Sequence, residues 1–345
     1  MKLATPHWWY SRDRRVMPAT RLLLTPAGWV WAAVTARRLA RGVPQDPGVP
    51  VVCVGNLTVG GAGKTPVVRA VAERLRAMGI QVHLLSRGYG GRLPGPLRVD
   101  ANGHTAADVG DEPLMLAQDF PVWVARDRAA GARAALAAGA QVVVMDDGHQ
   151  NPSLVKALSL VVVDAETRGG EWPFGDGRVF PAGPMREPLR AGLARADVVV
   201  ALRPGDLPSL DPELAAALDA RPLIEARLAP AAPPPPGPQL GFAGVGKPWK
   251  VERALLAAGC ELCDFAPFPD HFAYDEATLT RLADRAAQFG AGLVTTEKDW
   301  VRLPRAWRGR ATPWAVRAVF EPETALDAWL AALRTFSAEV DTGSA

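Results

Sequence analysis

The sequence predicts an α/β protein: a doubly wound, mostly parallel sheet, a second and smaller α/β unit after it, and an amphipathic helix in front. Three observations carry that prediction. A short apolar run, residues 49–54, empties into a glycine-dense turn and then an amphipathic helix, "VGNLTVGGAGKTPVVRAVAERLRAMG" over residues 54–79. Further short apolar runs at residues 80–85, 142–145, 161–163 and 198–201 read as four more strands, in a sheet expected to hold at least six. A proline-dense stretch, residues 227–239, then separates these from another strand–turn–helix pattern starting at Leu240. A chain of 345 residues has room for both units.

The first segment, residues 1–45, differs in charge from the rest. Residues 1–41 hold eight basic side chains against one acid, Asp13, a net of +7 within a total of +3, so the remainder carries −4. The mostly apolar stretch from Leu22 to Ala36 is short of the roughly 20 residues a bilayer span needs, and it contains Pro26 and Gly28. Trp8, Trp9, Tyr10, Trp29 and Trp31 are residue types that settle at headgroup depth, and Arg21, Arg37, Arg38 and Arg41 flank the stretch. The expectation is a helix lying in the plane of an anionic membrane surface, with a helix buried against the protein body as the other reading. The modest overall charge gives no reason to expect a nucleic-acid partner. The three cysteines, Cys53, Cys260 and Cys263, are too few for a disulfide framework; the Cys260–Cys263 spacing has no second pair to complete a zinc site.

Residues 46–226 form the expected nucleotide-binding domain. Residues 49–54 read as a strand buried on both faces. Val67, Val68, Val71, Leu75 and Met78 then recur at helical spacing, and Gly79 stops the helix. Between them, Thr58, Val59, Gly60, Gly61, Ala62, Gly63, Lys64 and Thr65 are the expected phosphate cradle. The glycines remove Cβ clashes, Lys64 reaches the β/γ oxygens, and the Thr65 hydroxyl ligates Mg²⁺. The loop is a P-loop with one departure, Thr58 where the motif asks for glycine. Asp146 and Asp147 follow the strand at 142–145, where a second Mg²⁺ anchor belongs.

Other residues read two ways. Asp111, before Pro113 and an apolar helical run, is a helix cap on pattern alone. Arg186 and Glu187 sit in "PAGPMREP", whose prolines stiffen the segment, so that a fixed arginine there suits a phosphate. "TTEKD", residues 295–299, follows an apolar strand and is expected in a cleft, without a specific role. His149 adjoins the metal loop and competes for attention with any catalytic histidine. After the linker at 227–239, residues 240–320 are the second α/β domain; their Gly244-Val245-Gly246-Lys247-Pro248 turn lacks the Ser or Thr of a second P-loop. Residues 321–336 read as a helix returning to the first domain, and residues 337–345 as a disordered tail.

A P-loop alone leaves function open. Partitioning-type ATPases carry a second lysine where this chain has Val59, and the guanine-reading Asn-Lys pair is absent. A lipid kinase, a protein-directed NTPase and a membrane-docked nucleotide sensor all remain.

The longer motifs narrow this. "GNLTVGGAGKTP", "LSRGYGG", "VGDEP", "DDGHQN", "GRVFPAGPMREP", "GFAGVGKP", "FPDHF" and "TTEKD" occur in that order. Over about residues 8–303 the chain resembles the tetraacyldisaccharide 4′-kinase family of lipid A biosynthesis. The resemblance implies ATP-dependent phosphorylation of the 4′-hydroxyl of a lipid-linked glucosamine disaccharide 1-phosphate. It also implies a location at the cytoplasmic face of the inner membrane, with a membrane-associated N-terminal helix and no obligate protein partner. It places Asp111 in the active site, paired with His271 of "FPDHF" from the other domain, beside Lys64. Glu112, Arg186 and Glu187 are the expected substrate contacts. One departure is the run His149-Gln150-Asn151, where many members read Phe or Leu and then Gln-His.

Overall fold

The structure, a computed structural model, describes residues 6–205, 207 and 209–333. Thirteen strands lie among them. In chain order they are β1 (Val51–Asn56), β2 (Val82–Ser86), β3 (Leu97–Arg98), β4 (Val122–Val124), β5 (Val142–Asp146), β6 (Leu158–Asp164), β7 (Val198–Arg203), β8 (Leu223–Pro230), β9 (Gln239–Ala243), β10 (Leu262–Pro267), β11 (Gly292–Thr296), β12 (Ala311–Trp314) and β13 (Val316–Glu321).

Nine of these make one sheet in the order β13-β8-β7-β6-β1-β5-β2-β4-β3. Its pairs are parallel except β13–β8 and β3–β4. β1 is buried along its whole length between β5 and β6, as its unbroken apolar run requires. The helix Lys64–Ala77 covers one face, with Val67, Val68, Val71 and Leu75 fully buried against Val52, Val54 and Val144. Each contributes about 1.5–3 kcal/mol of burial. The alanine-rich helix Arg128–Ala137 covers the other face through Ala129, Ala132 and Ala135. Because the strand order runs outward in both directions from β1, the loops after β1, β5 and β6 meet at a topological switch point, where α/β sheets bind ligands.

The other four strands form a parallel sheet, β10-β9-β11-β12, with its own core of Leu240, Phe242, Tyr274, Leu279, Leu282 and Trp307. The chain enters this sheet from β8 and leaves it into β13, and those two strands pair antiparallel from Val316–Pro230 to Glu321–Glu225. Three expected boundaries therefore move. The proline-dense connection is 231–238, because residues 227–230 belong to β8. The second unit ends before residue 316, because β13 is an edge strand of the first sheet. The segment expected as a helix over 321–336 begins as the end of β13, followed by a 3-10 turn, Glu323–Leu326, and the short helix Asp327–Ala331. Leu326, Leu330 and Leu333 pack into the core under the helix Lys64–Ala77. The rest of that expected helix and the tail at 337–345 lie outside the described residues.

The N-terminal helix is longer than the apolar stretch suggested, Pro18–Arg41, and includes Pro26. Its buried residues are Arg21, Gly28 and Thr35, one every seven, so a small and polar stripe faces the body. Gly28 is required there: a Cβ would stand 2.9 Å from the Val179 carbonyl oxygen. Arg21 pairs with buried Asp176 at 2.7 Å and donates to the Ser11 carbonyl. Leu22, Leu23, Trp29, Val30, Trp31 and Val34 are left exposed. No helix among the described residues is long and apolar enough to cross a membrane.

Candidate active site

The loop after β1 divides into two halves. Its first half is tied down by the protein. The Val59 amide donates to the Pro184 carbonyl at 2.7 Å, and the Val59 carbonyl accepts from the Tyr10 hydroxyl at 2.8 Å. The Thr58 carbonyl accepts from Asn56 Nδ2 and Arg186 Nε. Val59 therefore has no free N–H for a phosphate, contrary to the expectation that the whole run from Thr58 forms the cradle. The second half, Gly60 to Thr65, opens the helix Lys64–Ala77. Gly60 (φ 106) and Gly63 (φ 73) take backbone angles that only glycine adopts without strain.

Lys64 Nζ stands 3.2 Å from Asn56 Oδ1 and 3.6 Å from Asp147 Oδ1. Asp147, held at φ 53, also receives Arg186 Nη1 at 2.6 Å. Burial pushes the Asp147 carboxyl up, but Lys64 and Arg186 outweigh it and hold the group well below the usual carboxylate range. Asp146 is the opposite case. Burial, reinforced by the Asp147 charge, raises it to about 7 despite Lys64. Its Oδ1 is buried with no hydrogen-bond partner. A buried carboxylate oxygen with no partner, at the end of β5, fits a divalent cation on Asp146.

Asp111 opens the short helix Asp111–Leu116 and is 4% exposed. Its Oδ2 lies 2.8 Å from His271 Nδ1, so the first sheet supplies the carboxylate and the loop after β10 the imidazole. The cap reading of Asp111 fails, because Gly110 is the residue before the helix and the Asp111 side chain turns to His271. Burial raises the Asp111 carboxyl, yet the His271 hydrogen bond and the Lys298 charge carry it well below its ordinary value. His271 sits at φ 57, a strained angle outside glycine, fixed by its N–H to the Gly244 carbonyl and to Asp270 Oδ1. Since a carboxylate only accepts, Nδ1 carries a proton; in the neutral ring Nε2 is then the acceptor, 3.8 Å from Asp270 Oδ2. The Tyr89 ring lies 5.7 Å from the imidazole.

The two halves of the site face each other. A Cβ on Gly246, in the turn after β9, would stand 3.7 Å from the Gly61 amide nitrogen. The same turn is no second phosphate loop, since Lys247 is spent on Glu171 (2.7 Å) and Asp164 (3.4 Å).

Of the expected substrate contacts, Arg186 is where a phosphate-side residue belongs, braced between Asp147 and the Thr58 carbonyl. Glu112 meets Lys298 Nζ at 2.8 Å. Glu187 has no open face: it is 2% exposed, and Arg195 donates to both its oxygens at 2.6 and 2.7 Å. It braces the loop instead of meeting substrate. His149 is structural too. It is fully buried between Ser159 Oγ (3.2 Å) and the Gly192 carbonyl (2.9 Å), and burial lowers it to about 4. Sequence reasoning missed Tyr10, Asn56 and Gln150. Gln150 donates to the Asn56 carbonyl and to Glu187, completing the wall behind Lys64. Only Asn56 had a local signal, as the polar end of an apolar strand pointing into a P-loop.

A P-loop on a doubly wound sheet, with a buried carboxylate–imidazole pair drawn from both sheets, is the arrangement of a phosphotransferase of the α/β class. The comparisons with known proteins say which one. The LpxK family, Tetraacyldisaccharide-1-P 4′-kinase, matches residues 20–334. A tetraacyldisaccharide 4′-kinase of Phenylobacterium zucineum is 72% identical over 328 residues, 95% of this chain and 98% of the relative. One of Caulobacter vibrioides is 66% identical over 330 residues, 96% and 98% of the two chains. The crystal structure of LpxK from Aquifex aeolicus in complex with ATP superposes with a TM-score of 0.72 at 25% identity, covering 91% of this chain and 99% of that one. The chain belongs to the tetraacyldisaccharide 4′-kinase family.

Proposed function

We infer that the chain is the kinase that transfers the γ-phosphoryl group of ATP to the 4′-hydroxyl of a tetraacylated glucosamine disaccharide 1-phosphate in lipid A biosynthesis. The observation that carries this reading at the level of chemistry is the Asp111–His271 pair, drawn from the units of both sheets.

Transfer to a sugar hydroxyl needs charge neutralisation, alignment and a proton acceptor. The amides of Gly60 to Thr65 and the Lys64 ammonium receive the β- and γ-phosphates, while Asp147 and Arg186 fix Lys64 and the loop. Thr65 and Asp146 would hold Mg²⁺, which neutralises phosphate charge when bound. His271 Nε2 accepts the hydroxyl proton as the new oxygen–phosphorus bond forms and the bond from the γ-phosphorus to the bridging oxygen breaks, releasing ADP. Asp111 holds the ring in the tautomer that makes this possible and stabilises the imidazolium that results.

The lipid acceptor gives meaning to the N-terminal helix. Its exposed Leu22, Leu23, Trp29 and Val30 suit the headgroup–acyl boundary, and Arg37, Arg38 and Arg41 suit anionic lipid, so the protein docks on the cytoplasmic face of the inner membrane. Behind that helix lies a groove of about 560 Å³ lined by Ala32, Ala36, Leu39, Pro188 and Ala191 together with the charged Glu187 and Arg195, and its apolar wall suits an acyl chain. The two sheets act as two domains that close on the substrates through the β8 and β13 crossings.

The test is transfer of labelled γ-phosphate from Mg-ATP to the tetraacylated disaccharide 1-phosphate in detergent micelles, wild type beside Lys64→Ala. Label on the lipid with wild type alone supports the reading. ATP hydrolysis without lipid labelling refutes it.

A further inference from the structure

The segment "TTEKD" makes one helical turn, Glu297–Trp300, after β11, capped by the Thr296 hydroxyl accepting from the Asp299 amide at 3.0 Å. Successive side chains on a helix diverge by about 100°, and three consecutive residues here take three different partners. Glu297 leaves toward the first sheet and meets Arg69 at 3.0 Å and Arg317 at 3.2 Å. Asp299 turns into the second unit, accepting from the Gly244 amide at 2.8 Å and the Tyr274 hydroxyl at 2.7 Å. Between them, Lys298 points into the cleft.

Its ammonium lies 2.8 Å from Glu112 Oε1, 3.6 Å from Asp270 Oδ1 and 3.9 Å from Asp111 Oδ2. Three carboxylates from two sheets thus converge beside His271. Ligand atoms of Asp111, Glu112 and His271 lie within 4.8 Å of one another, and the cation in their midst is the protein's own lysine. Arg302 adds a second charge, its Nε 3.7 Å from Asp111 Oδ2, but its Nη2 is committed to Asp299 and the Gly244 carbonyl. Lys298 is therefore the mobile-chain cation that bridges both halves.

We propose that Lys298 is a positioning residue for phosphoryl transfer, acting through Asp111: its ammonium sits between the Asp111, Glu112 and Asp270 carboxylates, so that the Asp111 carboxylate stays committed to His271 Nδ1 and Nε2 stays free. This rests on the kinase reading above. Without the ammonium, Asp111 and Glu112 repel, and the cheapest relief is to retain a proton among Asp111, Glu112 and His271. Burial works against the Lys298 charge, but Glu112, Asp111 and Asp270 outweigh it and hold the lysine above its ordinary value. Burial and the Asp111 charge push Glu112 up, with Lys298 as the opposing influence.

The experiment measures kcat and KM for lipid phosphorylation against pH in Lys298→Gln, Lys298→Arg, Asp111→Asn and the Asp111→Asn/Lys298→Gln double variant, with thermal midpoints alongside. The groups facing the pair are Glu112, Asp270, Lys298 and Arg302; among these, Lys298→Gln removes positive charge. The pair then binds its proton more tightly, and the rising limb of kcat against pH moves up by about one unit. We expect kcat to fall about 100-fold, KM for ATP to hold within about threefold, and Lys298→Arg to recover most of the loss. The double variant should be within about threefold of Asp111→Asn, because one residue acts through the other. Multiplicative losses, an unshifted limb, or undiminished kcat in Lys298→Gln overturn the proposal. Should Lys298→Gln not fold, Asp270→Asn removes an anion instead and must move the limb to lower pH; an unmoved limb then overturns it. Wild-type enzyme that labels no lipid would sink the kinase reading itself, which separates the two failures.

Discussion

Replacing Leu23 and Trp29 together by Gln tests how the N-terminal helix meets its surroundings. The two side chains are 80% and 70% exposed, on the part of the helix turned away from the stripe of Arg21, Gly28 and Thr35. Fully burying such a side chain is worth about 1.5–3 kcal/mol. Discounting for partial insertion, the pair supplies about 3 kcal/mol of membrane affinity, a factor of about 100 in the partition coefficient. The assay is sedimentation with vesicles containing an anionic phospholipid, at low and moderate salt. The double variant should lose about two orders of magnitude of binding, and what remains should fall with salt, because Arg37, Arg38 and Arg41 are untouched. Its stability and detergent-micelle activity should match wild type. Vesicle binding equal to wild type would refute the reasoning. Deleting the whole segment is a poorer test, since it also removes Tyr10, whose hydroxyl holds the Val59 carbonyl of the P-loop.

Two further outcomes follow from the same geometry. His149 is neutral when folded because burial lowers it to about 4 from an ordinary value of 6.5; its contribution is complete above pH 6.5 and is lost as pH falls toward 4, about 3 kcal/mol in all. Urea unfolding at pH 7 and 4.5 should show that loss in wild type and a flatter dependence in His149→Gln; equal slopes would remove the claim. Arg186→Lys cannot reach both Asp147 and the Thr58 carbonyl, so ATP affinity should fall about tenfold, read by fluorescent-nucleotide titration. Unchanged affinity would deny Arg186 its bracing role.

The sequence made the P-loop unit legible because its signals are local. The all-apolar run of β1, the glycine turn and the Val67–Val68–Val71–Leu75 stripe each depend on residues within a few positions of one another. Asp146 and Asp147 were legible for the same reason, as carboxylates at the end of such a strand. Pairings across long separations were not. Nothing near Val316 says that its strand will lie antiparallel to β8, so pattern alone leaves residues 316–320 with the second unit. The proline-dense pattern begins at residue 227, although ladder pairing carries β8 to Pro230. The partition of the P-loop into a tied half and an open half depends on Pro184 and Tyr10, more than 40 residues away on either side. The Asp111–His271 pair, 160 residues apart, came from family resemblance, since pattern alone made Asp111 a cap. The strand before "TTEKD" makes the segment legible as a cleft element, but the role of Lys298 is not, because its partners come from two other segments.

The central claim is that Asp111 and His271 together accept the proton while the P-loop holds the nucleotide. The most direct measurement is the lipid-phosphorylation rate of Asp111→Asn and of His271→Ala at saturating Mg-ATP, with ATP affinity determined on the same samples. The account predicts kcat lower by about two to four orders of magnitude in each, with ATP affinity within about threefold of wild type. Transfer at the wild-type rate in either variant, or loss that merely tracks weakened ATP binding, would contradict it.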